Sequence, residues 1–252
     1  MLTQQEQLRY SRQIMLNKIG EQGQLALRNA KVLIVGMGGL GNPVSQYLSA
    51  AGVGTIYLAD GDNIELTNLQ RQVLFGENDI GKNKADTAAE LLQKNNSDIT
   101  FEIIDEMLDE ELANYYVPQV DAVVDCSDNI ATRYLINSIC VQHKVPLIVG
   151  AATGFDGQQL VVNPTDSDSA CYQCLFPSSK KAPANNCQTI GIIGPVLGVI
   201  AGMQSLQTIK LLTGNPVQIN QLNLFDGFTN QWQQFTLKKQ SNCPVCGNGK
   251  HD

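Results

Sequence analysis

Residues 31–36 read Lys-Val-Leu-Ile-Val-Gly and run directly into Met37, Gly38, Gly39, Leu40 and Gly41. An unbroken β-branched stretch that halts at glycines is the pattern of a strand buried on both faces, as in a parallel sheet covered by helices. The glycines at 36, 38 and 41 have G-x-G-x-x-G spacing, with Gly39 between them, and a helix is expected over 40–51. This spacing allows a tight turn, close backbone approach to a phosphate and close helix packing. The helix N-terminus adds free N–H groups and about half a positive charge. A tight βα turn with no ligand is the competing reading. Asp60 follows a second strand over 55–59 and stands 19 residues beyond Gly41, where a carboxylate can accept both hydroxyls of a ribose.

The alternation continues with a helix over 84–94, a strand over 99–104, a strand over 121–126, a helix over 131–142 and a strand over 146–150. This is the order of an open doubly wound sheet. Thr3 and Glu6 form a capping box ahead of it, and Leu8, Ile14, Met15 and Ile19 follow at helical spacing. An amphipathic helix with Arg9 and Arg12 on one face is therefore expected. Shorter strands over 158–163, 222–225 and 232–237 surround a helix ending near Thr213, with Gly214 as its cap. The expected fold is α/β: one domain over 1–252, with a doubly wound, Rossmann-like, mostly parallel sheet extended by C-terminal antiparallel strands. Its parts are N-terminal helices over 1–30, a nucleotide-binding part over 31–150, and a remainder over 151–252.

Charge narrows the partners. Seventeen basic residues against 24 acidic ones give −7, so no general basic field attracts nucleic acid or anionic lipid. The most apolar run, 190–203, has 14 residues, whereas a bilayer needs about 20. It reads as a buried helix. The N-terminus shows no basic and apolar leader, so a cytoplasmic location is expected.

The glycine turn fits either a dinucleotide or ATP. Hydride transfer needs a nearby proton donor, and the two histidines, His143 and His251, lie before a strand and in the tail. Asn68, Leu69, Gln70 and Arg71 form a polar loop after the second strand, and Lys84 opens the next helix, offering a guanidinium and an ammonium to a triphosphate. Taken singly, Arg71 and Lys84 also read as solvated surface. A positively lined pocket beyond the strand tips is the combined expectation. Asp128 and Asn129 follow the strand at 121–126, at the carboxyl edge where such folds bind ligands, and Asp128 could hold magnesium against phosphates. Helix capping is the alternative, or companion, role.

Four of the seven cysteines form two C-x-x-C pairs, Cys171 with Cys174 and Cys243 with Cys246, separated by an interval of 68 residues. Four thiolates suit a closed tetrahedral zinc site with a structural role, with a redox pair as the alternative. Cys126 and Cys140 sit in apolar surroundings and read as packed. Cys187, in a polar stretch near Lys180 and Lys181, reads as a nucleophile or as an inert loop thiol.

Several stretches together resemble a known family: Arg-Tyr-Ser-Arg-Gln-Ile from Arg9, the glycine turn, Asn-Leu-Gln-Arg-Gln from Asn68, Lys84, Asp-Asn-x-x-x-Arg from Asp128 to Arg133, and the paired C-x-x-C. The chain is similar over nearly its whole length to the HesA/MoeB/ThiF family of ubiquitin-activating-type adenylyltransferases. Its Cys-Tyr-Gln-Cys-Leu-Phe-Pro and Asn-Cys-Gln-Thr-Ile-Gly stretches resemble members serving thiamine more than those serving molybdopterin. The resemblance implies ATP-dependent adenylation of the C-terminal Gly-Gly carboxylate of a ubiquitin-like sulfur carrier. By position, Gly39, Gly41 and Asp60 would hold adenosine, Asn68, Arg71 and Lys84 the phosphates, and Asp128 the magnesium. Arg12 would reach into a partner subunit of a homodimer. Cys187 would bond to the carrier during sulfur transfer from a persulfide donor. A nicotinamide-dependent reductase and a zinc-stabilised binding module without catalysis are the other readings.

Overall fold

The computed structural model describes residues 1–177 and 191–247. It begins with helices α1 (Gln4–Arg9), α2 (Ser11–Ile14) and α3 (Gly20–Asn29), followed by β1 (Lys31–Val35), α4 (Gly41–Ala51) and β2 (Thr55–Ala59). Then come α5 (Lys84–Asn95), β3 (Thr100–Ile104), α6 (Glu110–Tyr116), β4 (Ala122–Asp125), α7 (Ile130–His143) and β5 (Leu147–Thr153). The remainder is β6 (Asp156–Val162), the single turn α8 (Tyr172–Leu175), α9 (Gly194–Leu212), β7 (Gln221–Asp226) and β8 (Gln231–Thr236). One eight-stranded sheet runs in the order β3-β2-β1-β4-β5-β6-β7-β8. Pairings are parallel from β3 to β5 and antiparallel from β5 to β8. The chain order reverses between β1 and β4, so a crevice opens beyond their carboxyl ends.

Alternation along β1 sends its side chains into two cores. Val32 and Ile34 join Leu27, Val44, Leu48 and Leu92 of the helices on one face, with Leu197 and Ile200 of α9. Leu33 and Val35 join Ala113, Ile136 and Ile139 on the other, where Cys171 and Cys243 also pack. Both faces are thus covered, which explains the continuously apolar strand. The short helix α6 has its own N-cap in Asp109, whose side chain accepts from the Leu112 N–H at 2.9 Å.

The N-terminal segment departs from the expected continuous helix. The Thr3 and Glu6 capping box is present, but the helix ends at Tyr10. Tyr10 is buried, and its hydroxyl accepts from Asn96 Nδ2 at 2.9 Å. Fixing that ring turns the chain, and Leu8 and Met15 are left 78% and 70% exposed. The helix expected within 190–203 begins at Gly194 and continues to Leu212. No described helix is long and apolar enough to cross a membrane.

Candidate functional site

A cavity of about 630 Å3 lies at the carboxyl ends of β1, β2 and β4. The glycine turn forms part of its wall. Gly36 has φ +92, a left-handed backbone that a side chain would strain, and a Cβ there would sit 2.9 Å from the Cys126 carbonyl oxygen. Gly41 opens α4 against the Gly36 carbonyl, with which any Cβ would collide. The turn is braced from below: Asp60 Oδ2 accepts from the Met37 N–H at 2.6 Å, and Oδ1 accepts from the Asp62 N–H at 2.8 Å. Asp60 is buried, and that burial raises its carboxyl above the ordinary value against the lowering pull of Lys84.

The loop after β2 is stitched to the start of α5. Lys84 N–H donates to the Asp62 carbonyl at 3.0 Å, and Asn83 Nδ2 to that of Asp60 at 3.1 Å. Lys84 is thereby held in the wall, its Nζ 2.9 Å from Asp62 Oδ2, with its side chain 8% exposed against 52% for Asp62. Arg71 Nη1 donates to the Thr67 carbonyl at 2.9 Å, which anchors one end of the guanidinium. Asn68 is buried, its Oδ1 accepting from the Glu65 N–H at 3.1 Å. Across the cavity, Asn129 caps α7 by accepting from the Thr132 N–H at 2.9 Å. Capping therefore falls to Asn129, while Asp128 is exposed and makes no hydrogen bond to any described residue.

The structure brings together at the cavity Gly36, Gly38, Gly39, Asp60, Asn68, Arg71, Lys84, Asp128 and Asn129. Gly41, Leu69, Gln70 and Arg12 are outside its lining. Leu69 packs on the core and Arg12 is exposed on α2. Cys187, Lys180 and Lys181 fall outside the described residues. The cavity is not the positively lined pocket expected from sequence. Its wall carries Asp60, Asp62, Glu65 and Asp128 against Arg71, Lys84 and Arg133. Anions there would meet local cations and α4 N–H groups rather than a general basic field, and an oxyanion with a divalent cation suits this mixture better than a bare one. Asp62, Gln72, Ser127 and Arg133 were not expected from sequence to line it. The signal was present in Asn-Leu-Gln-Arg-Gln and Asp-Asn-x-x-x-Arg, but spacing alone does not show which members face inward. A second cavity of about 400 Å3, lined by β5, β6, β7 and β8, shares Arg133, Ala152 and Thr153 with the first.

On the α7 face of the sheet the four cysteines meet. Cys171, Cys174, Cys243 and Cys246 place their sulfurs within 4.8 Å of one another, with Cys171 and Cys243 3.6 Å apart and Cys174 and Cys246 3.3 Å apart. Tetrahedral zinc with bonds of about 2.3 Å separates its sulfurs by roughly 3.8 Å, so the donor set and spacing fit a metal ion. Cys126 and Cys140 are buried, and burial pushes both thiols up, as expected of packed groups.

Fold and cavity define the class: an α/β protein with a doubly wound sheet, a cavity at its switch point, and a cluster of four thiols that could hold a metal ion. The chain belongs to the ThiF family, whose model matches residues 10–245. It is 44% identical over 245 residues to the sulfur carrier protein ThiS adenylyltransferase of Escherichia coli (strain K12), covering 97% of both chains. It is also 44% identical over 248 residues to the adenylyltransferase and sulfurtransferase MOCS3 of Culex quinquefasciatus, covering 97% of this chain and 56% of that one. This chain thus spans about half the length of that MOCS3 relative. Among solved structures, Escherichia coli MccB with ATP superposes with a TM-score of 0.80 at 31% identity, covering 95% of this chain and 74% of that one. The chain is an enzyme of the adenylyltransferase kind.

Proposed function

We propose that the cavity seats ATP and that the protein adenylates the C-terminal glycine carboxylate of a ubiquitin-like sulfur carrier, of the kind serving thiazole synthesis, releasing pyrophosphate. The observation that carries this reading is the joining, in one cavity, of a glycine turn braced by Asp60 with Arg71, Lys84 and a carboxylate at Asp128 that no described residue occupies. The similarity to a ThiS adenylyltransferase along 97% of both chains supports the choice of carrier.

In the reaction a carboxylate oxygen bonds to the α-phosphorus, the bond to the bridging oxygen breaks, and its electron pair leaves with pyrophosphate. No proton moves, so a general base is not required, and no histidine lines the cavity among the described residues. Gly36, Gly38, Gly39 and Asp60 hold the adenosine end. The barrier is repulsion between two anions, which fixed cations and orientation relieve. Arg71 and Lys84 face the phosphates, and Asn68, its Oδ1 taken by the Glu65 N–H, lines the same wall. Asp62 holds Lys84 in place until a phosphate takes it up. Asp128, with Asn129 engaged as the cap, keeps its carboxylate for magnesium. Magnesium, when bound, neutralises phosphate charge and polarises the phosphorus under attack.

Zinc in the four-cysteine centre has no open position and serves structure. Arg12, exposed on α2 and away from the cavity lining, is suited to completing the site of a second subunit in a homodimer. Cys187 is the thiol for a covalent link to the carrier during transfer from a persulfide donor, in the cytoplasm. The MOCS3 similarity supports a second reading, in which the carrier serves molybdopterin synthesis. Pyrophosphate–ATP exchange with purified carriers ending in Gly-Gly tests both. Exchange that depends on a thiazole-type carrier, and disappears when its last glycine is removed, is expected. Exchange with the molybdopterin-type carrier alone selects the second reading, and exchange with neither refutes adenylation.

A further inference from the structure

Gln72 has no part in the chemistry above, yet its side chain reaches the wall of the larger cavity. The residue is 2% exposed, and its carboxamide finds no hydrogen-bond partner among the described residues. Oε1 is buried, and Nε2 stands beside the glycine turn, 3.7 Å from where a Cβ on Gly38 would lie. We propose that Gln72 is a further catalytic residue, whose Nε2 donates a hydrogen bond to an oxygen of the α-phosphate of ATP. This rests on the reading of the cavity as a nucleotide site.

Buried polar groups are nearly always paired, and an exception calls for strain, a water or a ligand. The backbone at Gln72 is ordinary: it is not among the residues with positive φ, its N–H donates to the Asn68 carbonyl at 3.0 Å, and its carbonyl accepts from the Phe75 N–H at 3.1 Å. Only the amide is left over. It is also held in place, as a preorganised donor must be. Leu74 N–H donates to Asn42 Oδ1 at 3.1 Å, and Asn42 Nδ2 donates to the Met37 carbonyl at 2.8 Å. One buried side chain thus ties the loop carrying Arg71 and Gln72 to the glycine turn.

Position selects the phosphate. The glycine turn and Asp60 belong to the adenosine end, and Arg71, the preceding residue, faces the phosphates. Gln72, beside Gly38 and next to Arg71, falls at the join between them, where the α-phosphorus lies. A phosphoryl oxygen accepts and does not donate, so it engages Nε2. Charge on those oxygens is redistributed as the carboxylate oxygen bonds to phosphorus, and a fixed donor there lowers the barrier. Being neutral, the amide is not drawn into an ion pair, whereas Lys84 Nζ lies 2.9 Å from Asp62.

Pyrophosphate–ATP exchange by the full chain with a Gly-Gly carrier is compared between the unaltered protein and Gln72→Met, which keeps the side chain's length and removes both polar atoms. The rate at saturating ATP is expected to fall about 100-fold. KM for ATP should stay within roughly twofold, because the bond strengthens only in the transition state. The midpoint of thermal unfolding should hold or rise, because a buried unpaired amide is gone. ATP with sulfur replacing one α-phosphate oxygen then reports the contact itself. The unaltered protein should exchange one diastereomer more slowly than the other, and Gln72→Met should lose that discrimination; Gln72→Leu serves should Gln72→Met unfold. Unchanged exchange, a midpoint lowered in both variants, or the same diastereomer preference in variant and unaltered protein overturns the assignment and leaves the amide to a water or to the fold. Absence of exchange in the unaltered protein removes the adenylation reading itself.

Discussion

The two halves of the sheet obey different rules. Along β1 and β2 only the first residue of each strand reaches water, whereas all six residues of β8 are exposed. Phe228, Trp232 and Phe235 stand 77%, 43% and 48% exposed on that antiparallel end. A strand with helices on both faces has no freedom to shift, so its tips can fix a phosphate-sized geometry. A meander at an edge can change its side chains without disturbing the core, provided something secures it. Here the four cysteines bring residues 243–246 against the turn at 171–174, where a bound metal would secure it. Precision is therefore packed into one half and clipped onto the other.

The largest effect should come from Gly41→Ala. Its Cβ meets the Gly36 carbonyl, a backbone group that cannot step aside, so a loss of about 4 kcal/mol or more in denaturant unfolding is expected. A loss under about 1 kcal/mol would show that the parallel half is less rigid than its burial implies. Lys84→Ala comes next, lowering exchange by roughly 100- to 1000-fold, as for removal of one preorganised charge donor. Its melting temperature should move little, because the partner carboxylate of Asp62 is half exposed and keeps water. Unchanged exchange would remove Lys84 from the site.

Removing the metal should act on the other half. Chelation, or Cys174→Ser, is expected to cost about 2–5 kcal/mol, the range for loss of a covalent staple, with hydrogen exchange rising first in β7, β8 and the following tail. Uniform exchange across the sheet would mean that the two halves unfold as one. The smallest effect belongs to Phe235→Ala on the exposed edge, within about 1 kcal/mol of the unaltered protein by thermal melting. A larger loss would place β8 inside a core that the exposure values do not show.

Strand β1, the glycine turn and the paired cysteines were legible because each rests on local pattern: β-branched continuity, glycine spacing and thiol spacing. The antiparallel strands were legible in position to within two residues. The break at Tyr10 was not, since it depends on Asn96, 86 residues away, accepting that ring into a buried contact. Nor was Arg133 readable as more than a motif member, because its burial and its bond to the Ser127 carbonyl depend on the turn after β4 packing over α7.

Sequence by itself determined the order of the sheet's strands along the chain, the family and the chemistry available at each position, since these depend on residue type and near neighbours. Tertiary structure alone decided which side chains are used up and which are left over. Asn129 takes the cap and releases Asp128, Asp62 takes Lys84, and four carboxylates come to face three cations. Hydrogen bonds and ion pairs reach only about 3 Å, so the competition among neighbours that settles such assignments exists only after distant segments have been packed together.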